Sequence, residues 1–266
     1  MGDEHKLYSK TEGSRDPIEI IKEMSVAPIE SSEIPIVDIP ISYSKQDGAF
    51  SPAKFIIISG GEEKEKIYLT KISDSNSFPR INIEFISKKG QGLTTIQLLE
   101  KANEIKERLD QSIIEEFPDS IYLLSDRDHF YPEIQAIIPE CKEKGYTLIV
   151  SNPCFEIWLY YSHYSNRPID FQIPENVREI SKAFKHHLEI VRKGGIDPRK
   201  SIFEIENAII NSEANYEEDE NGIPKLFSTN MFVLGKQLVQ MIKPELEELK
   251  KQDKLRIEQY KKKLAD

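Results

Sequence analysis

Short, unbroken apolar runs alternate with longer amphipathic stretches through the middle of this chain. Phe55-Ile-Ile-Ile58, Ile121-Tyr-Leu-Leu124 and Tyr146-Thr-Leu-Ile-Val150 are β-branched or aromatic in large part and are bounded by turn residues. Runs of that length and make-up predict buried strands rather than helices. The pattern places strands near 54–59, 81–87, 120–125 and 146–151, with helices near 62–73, 94–116, 132–144 and 154–164. Strand–helix alternation of this kind predicts an α/β fold: a mostly parallel sheet with helices on both faces. From Pro174 onward the pattern turns helical, with helices expected near 175–193, 198–213 and 229–242 and an acidic loop at Glu217–Glu220.

The two ends read differently. Residues 1–50 are polar and punctuated by Ser and Pro, an arm rather than a domain. Residues 244–266 form a charged helix, in which Leu246, Leu249, Ile257, Tyr260 and Leu264 fall near a seam spacing that could join two copies. The chain therefore divides into an arm (1–50), an α/β core (51–170), a helical C-terminal part (171–243) and the end helix (244–266). No internal repeat, P-loop or dinucleotide fingerprint interrupts this layout.

Composition narrows the setting. Of 266 residues, 31% are charged and 38% hydrophobic, and no apolar stretch approaches a membrane span. The start Met1-Gly-Asp-Glu lacks the pattern of a signal peptide, and Cys141 and Cys154 alone make neither a disulfide framework nor a zinc site. A cytoplasmic protein is the expectation. The net charge of −10 argues against a surface built for nonspecific duplex binding. Residues 178–200 run the other way, with Arg178, Lys182, Lys185, Arg192, Lys193, Arg199 and Lys200 against Glu179, Glu189 and Asp197. Lys182, Lys185 and Lys200 are candidates to hold a nucleic-acid backbone; the plain alternative is a solvated helix face. His186 and His187 are adjacent and cannot share one face of a helix.

The strand at 121–124 leads into Ser125 and then Asp126-Arg127-Asp128. Two aspartates one residue apart at a strand's carboxyl end can project to one side and converge on a divalent cation such as Mg²⁺ or Mn²⁺. They could also simply cap the helix that follows. The next strand runs into Ser151-Asn-Pro-Cys-Phe-Glu-Ile-Trp158, which sets Glu156 in the first turn of an apolar helix. A carboxylate there needs a cation, a backbone cap or an Arg. Near the first strand, Ser59-Gly-Gly-Glu-Glu-Lys-Glu-Lys-Ile-Tyr68 offers Glu62, Glu63 and Glu65 as further acids, or as solvated first-turn residues.

Strand, Asp126-Arg127-Asp128, helix, strand and Ser151–Trp158 together resemble the RloB-like family, which has a Toprim-like domain and occurs beside restriction and phage-defence genes. Ala208–Ala214 and Ser228-Thr-Asn230 resemble its C-terminal half, and the resemblance covers about residues 53–243. It implies a Toprim-like α/β core in which Asp126, Asp128 and Glu156 hold Mg²⁺ and Glu65 supports them. It further implies phosphodiester hydrolysis of RNA or DNA, and a partner ATPase. One position departs from the pattern. Relatives carry Glu-Gly after the first strand, then Thr-Glu and a Tyr; counting back from Tyr68, Glu65 matches the second glutamate and Lys64 replaces the threonine. Gly60 stands where the leading glutamate is expected. Glycine supplies neither a ligand nor a proton. Three classes of function follow: a metal-dependent nuclease, a catalytically weakened relative that binds metal or nucleic acid, and an interaction subunit.

Overall fold

The computed structural model describes residues 52–74, 76–90, 92–111, 119–128 and 130–265, with the side chains of 257 and 260–265 excepted. The N-terminal arm therefore lies outside the described residues, as do the side chains of Ile257, Tyr260 and Leu264 in the end-helix seam.

Five strands form one sheet in the order β2-β1-β3-β4-β5. They are β1 (Ala53–Ser59), β2 (Ile81–Ile86), β3 (Ser120–Asp126), β4 (Thr147–Asn152) and β5 (Ser228–Thr229). The first four are parallel and β5 runs antiparallel at the edge of β4. The helices of the core are α1 (Lys64–Ile72), α2 (Thr95–Gln111), α3 (Tyr131–Lys144) and α4 (Glu156–Tyr161). Beyond them come α5 (Ile180–Val191), α6 (Pro198–Ser201), α7 (Ile205–Ala214) and α8 (Met231–Ala265). This is the expected mixed α/β fold with a helical C-terminal region.

Strand alternation explains why both faces are covered. In β1, Phe55 and Ile57 enter a core shared with α1, α4 and the C-terminal helices, whereas Ile56 and Ile58 enter a second core with Leu98, Ala102 and Ile105 of α2. Tyr122 and Leu124 of β3 join the first core; Ile121 and Leu123 join the second. A strand buried on both sides reads as one continuous apolar run.

The first core is the larger because the C-terminal helices pack onto it. Trp158 is fully buried, and a Cβ added to Gly235 of α8 would lie 2.9 Å from its ring and 3.0 Å from Ile209. The absence of a side chain at 235 is what lets α8 approach this closely. Two features differ from expectation. A break at Pro244 is expected, but α8 continues through it. One lost backbone hydrogen bond is tolerated there because Leu246 beyond the proline is completely buried. The residues before α8 form β5, and Asn230 extends that edge: its side chain accepts from Val150 N at 2.7 Å and donates to Leu148 O at 3.0 Å.

No helix among the described residues is long and apolar enough to cross a membrane.

Candidate functional site

The sheet order changes direction at β1: β2 lies on one side of it and β3 on the other. At such a switch point the loops after the two strands part and leave a crevice at their carboxyl ends. Ser59 pairs in register with Leu124, and Gly60 N donates to Leu124 O at 2.9 Å, so Gly60 and Gly61 run beside Ser125 and Asp126. A cleft of about 520 Å³ opens there. Its walls come from the Gly60–Glu65 segment, Leu93 and Thr94 before α2, the end of β3, Glu156, and the α5 residues Lys185 to Glu189 with the Gly194–Ile196 loop.

Three carboxylates meet in this cleft. Asp126 ends β3, and its Oδ1 accepts from Phe155 N at 2.8 Å, which fixes it against the turn after β4. Burial, then the negative charges of Glu65 and Glu156, raise its pKa well above the usual carboxylate range. Glu65, in the first turn of α1, is 8% exposed. Burial and the Glu156 carboxylate push its pKa up to about 7, although its own backbone amide and Lys185 pull the other way. Glu156 opens α4, and its Oε2 lies 3.7 Å from Lys185 Nζ. Burial alone would depress the Lys185 ammonium; Glu156, Asp126 and Glu65 outweigh it and hold the group charged above the ordinary lysine value.

Gly61 makes this arrangement sterically feasible. A Cβ built there would fall inside the Glu65 carboxylate, so the glutamate folds back over the strand end into space that any other residue would fill. Ser59 Oγ accepts from Gly61 N at 3.1 Å and holds that turn in place. Gly61→Ala is expected to keep the fold, because the obstructed atoms belong to the far end of a flexible side chain, but to evict the Glu65 carboxylate. A calorimetric Mn²⁺ titration should show affinity falling about tenfold, the lower end of what misplacing a supporting group costs.

The remaining candidates are placed as follows. Asp128 lies two residues past the end of β3 with φ +24°, does not line the cleft, and its backbone N–H points to Pro153 O at 3.4 Å. The alternation that would aim it beside Asp126 ends with the strand. Lys182 and Lys200 are exposed and outside the cleft lining, whereas Lys185 is part of it. Glu62 is engaged elsewhere, its Oε2 accepting from Gly90 N at 2.5 Å. Cys154 is completely buried, and that burial drives its thiol pKa well up, which suits packing rather than nucleophilic attack.

A scan against protein-family models finds RloB-like protein over residues 55–238. The chain belongs to the RloB-like family. The match takes in the cleft and all of both cores but the Ile242 and Leu246 end of the first, so the carboxylate cluster lies within the RloB-like region and the polar arm lies outside it. No curated protein and no solved structure matches.

Oxygen donors suit a hard dication such as Mg²⁺, and mutual repulsion among Glu65, Asp126 and Glu156 is the charge imbalance that such an ion would relieve. Among the described residues, no three acidic, His or Cys side chains stand in a ready ligand geometry. Mg²⁺ does not require three, since it commonly takes one or two carboxylates and keeps several waters. In this RloB-like chain Asp126 and Glu65 or Glu156 would hold it. Sequence reasoning missed Gly61 as the cradle for Glu65; the signal available was the Gly-Gly pair, whose meaning depends on where the neighbouring side chain folds.

Proposed function

We propose that this RloB-like protein is a Mg²⁺-dependent nuclease that hydrolyses phosphodiesters in RNA or DNA. The supporting observation is the meeting of Glu65, Asp126 and Glu156 with Lys185 at the switch point of a parallel sheet. When bound, the dication polarises the phosphodiester and lowers the pKa of a water. The chain's own groups do the rest. Asp126, held by Phe155 N, gives the ion a fixed anchor. Glu65, near enough to Asp126 for their charges to interact, is the group placed to exchange a proton with that water when Glu156 rather than Glu65 shares the ion. Lys185 brings positive charge to the phosphate side. Lys182 and Lys200, outside the cleft lining, would serve only by contacting a longer nucleic acid, and Asp128, also outside it, is not among the groups proposed to hold the ion. The family's occurrence beside restriction and phage-defence genes supports a cytoplasmic role in phage defence, with a partner ATPase supplying any nucleotide-driven step.

The deciding experiment incubates labelled single- and double-stranded RNA and DNA with the full chain in Mg²⁺, Mn²⁺ or chelator. Metal-dependent cleavage that Asp126→Asn abolishes supports the proposal. Absence of cleavage with every substrate and metal, in protein that binds the ion, would sink it.

Gly60 favours a second reading, a weakened relative that binds metal or nucleic acid beside its partner. A Cβ at Gly60 would lie 3.0 Å from Leu93 O and 3.6 Å from Leu124 O, so a side chain fits after a shift of a few tenths of an ångström. Gly60→Glu is therefore expected to fold and, if the site has merely lost its leading glutamate, to raise cleavage by about 100-fold, the lower end of the range for an added acid–base group. Absence of a gain would weaken the explanation that the first motif has decayed.

A further inference from the structure

Lys185 reaches the cleft from the wall opposite the sheet edge. Ser181, one turn earlier on α5, donates to Pro153 O at 3.1 Å and fixes that helix to the turn after β4. The ammonium of Lys185 then stands 3.7 Å from Glu156 Oε2, and its charge is felt at Asp126 and Glu65 too. The two partners differ in freedom: the Lys185 side chain is 48% exposed and that of Glu156 only 12%. The lysine can swing outward while the glutamate stays. Among the described residues, the cleft lining holds six carboxylates, Glu62, Glu63 and Glu189 among them, against Lys64 and Lys185. A phosphate entering this cleft meets net negative charge unless another cation is present.

We propose that Lys185 is a resident counter-ion of the cleft, seated on Glu156 in place of a divalent cation, displaced by that cation and thereby freed to contact a phosphate of the nucleic acid. The inference rests on the reading of the cleft as a cation site. It makes binding ordered: the ion first, the phosphate second. A flexible stem with a point charge suits the exchange, because the ammonium needs no fixed plane to pair with either partner. Two positive charges beside the same carboxylate repel each other, so lysine and dication compete.

The test is calorimetric titration of Mg²⁺ and Mn²⁺ into the full chain as wild type, Lys185→Met, Lys185→Arg and Asp126→Asn. Removing the competing charge should tighten metal binding about tenfold in Lys185→Met, a value already reduced for the exposure of the lysine. Lys185→Arg keeps the charge and should stay within about threefold of wild type. In metal, Lys185→Met should bind a labelled single-stranded oligonucleotide more weakly than wild type despite holding the ion more tightly. If Lys185→Met fails to fold, Lys185→Gln makes the same comparison. Unchanged or weaker metal binding in the neutral variant overturns the inference alone, provided wild type binds and Asp126→Asn does not. No binding in any variant, or equal binding in wild type and Asp126→Asn, removes the cation-site reading and the inference together.

Discussion

Asp126→Asn should abolish Mg²⁺ and Mn²⁺ binding, lowering affinity by at least about 100-fold, while leaving the protein folded. The two halves of that expectation have separate causes. The asparagine carbonyl can still accept the hydrogen bond from Phe155 N that Asp126 Oδ1 takes at 2.8 Å, so the joint between β3 and the turn after β4 is kept. What disappears is the negative charge, the component that draws a dication into this cleft. The charge is also a burden on the metal-free protein, since burial and the carboxylates Glu65 and Glu156 both disfavour it. Its removal should therefore leave the melting temperature unchanged or raise it in metal-free buffer, a trade of stability against function familiar at charged sites. Calorimetric titration and a thermal melt on the same preparation check both halves. A large drop in melting temperature would show that Asp126 is structural, and surviving metal affinity would remove it from the site.

The sequence reveals the fold through its core and the site only through its parts. Runs such as Phe55–Ile58 and Ile121–Leu124 can be seen as strands because both faces of the sheet are buried, so their apolar character needs no tertiary knowledge. β5 could not be seen that way: two residues, Ser228 and Thr229, carry no periodicity, and the edge is completed by the Asn230 side chain acting as backbone. Pro244 is a strong local stop signal, overridden by the burial of Leu246. At the site, Asp126 and Glu156 follow from their positions at strand and helix ends. Lys185 is one of several bases between 178 and 200, and nothing local separates it from Lys182. The Ser181–Pro153 contact and the burial of Phe184 and Leu188 in the core, all between segments distant in sequence, turn its face of α5 toward Glu156.

Metal-free protein should lose stability as pH rises from about 4.5 to about 7, and Glu65→Gln should remove most of that slope. The Glu65 pKa is raised from 4.5 to about 7 in the fold, so the native state holds this proton more tightly than the unfolded chain does. Stability must then fall with rising pH across the interval between the two values, and the penalty is complete above the native pKa. Its size is on the order of 3 kcal/mol, since each tenfold gain in proton affinity is worth about 1.4 kcal/mol. Asp126, raised in the same direction, steepens the decline. His163 opposes it: burial lowers its pKa, so stability gained by losing its proton grows with pH. The informative quantity is therefore the difference between wild type and Glu65→Gln, measured by urea denaturation at pH 5 and pH 8. The variant should be the more stable protein at pH 8, with the gap closing at pH 5. Saturating Mg²⁺ should raise wild type at pH 8 by more than it raises the variant, which keeps Asp126 and Glu156, because the ion also stabilises the ionised Glu65 carboxylate that burial disfavours. Parallel stability curves for the two proteins in chelator would mean that Glu65 is not held protonated, and the case for it as the proton-carrying group would go with that result.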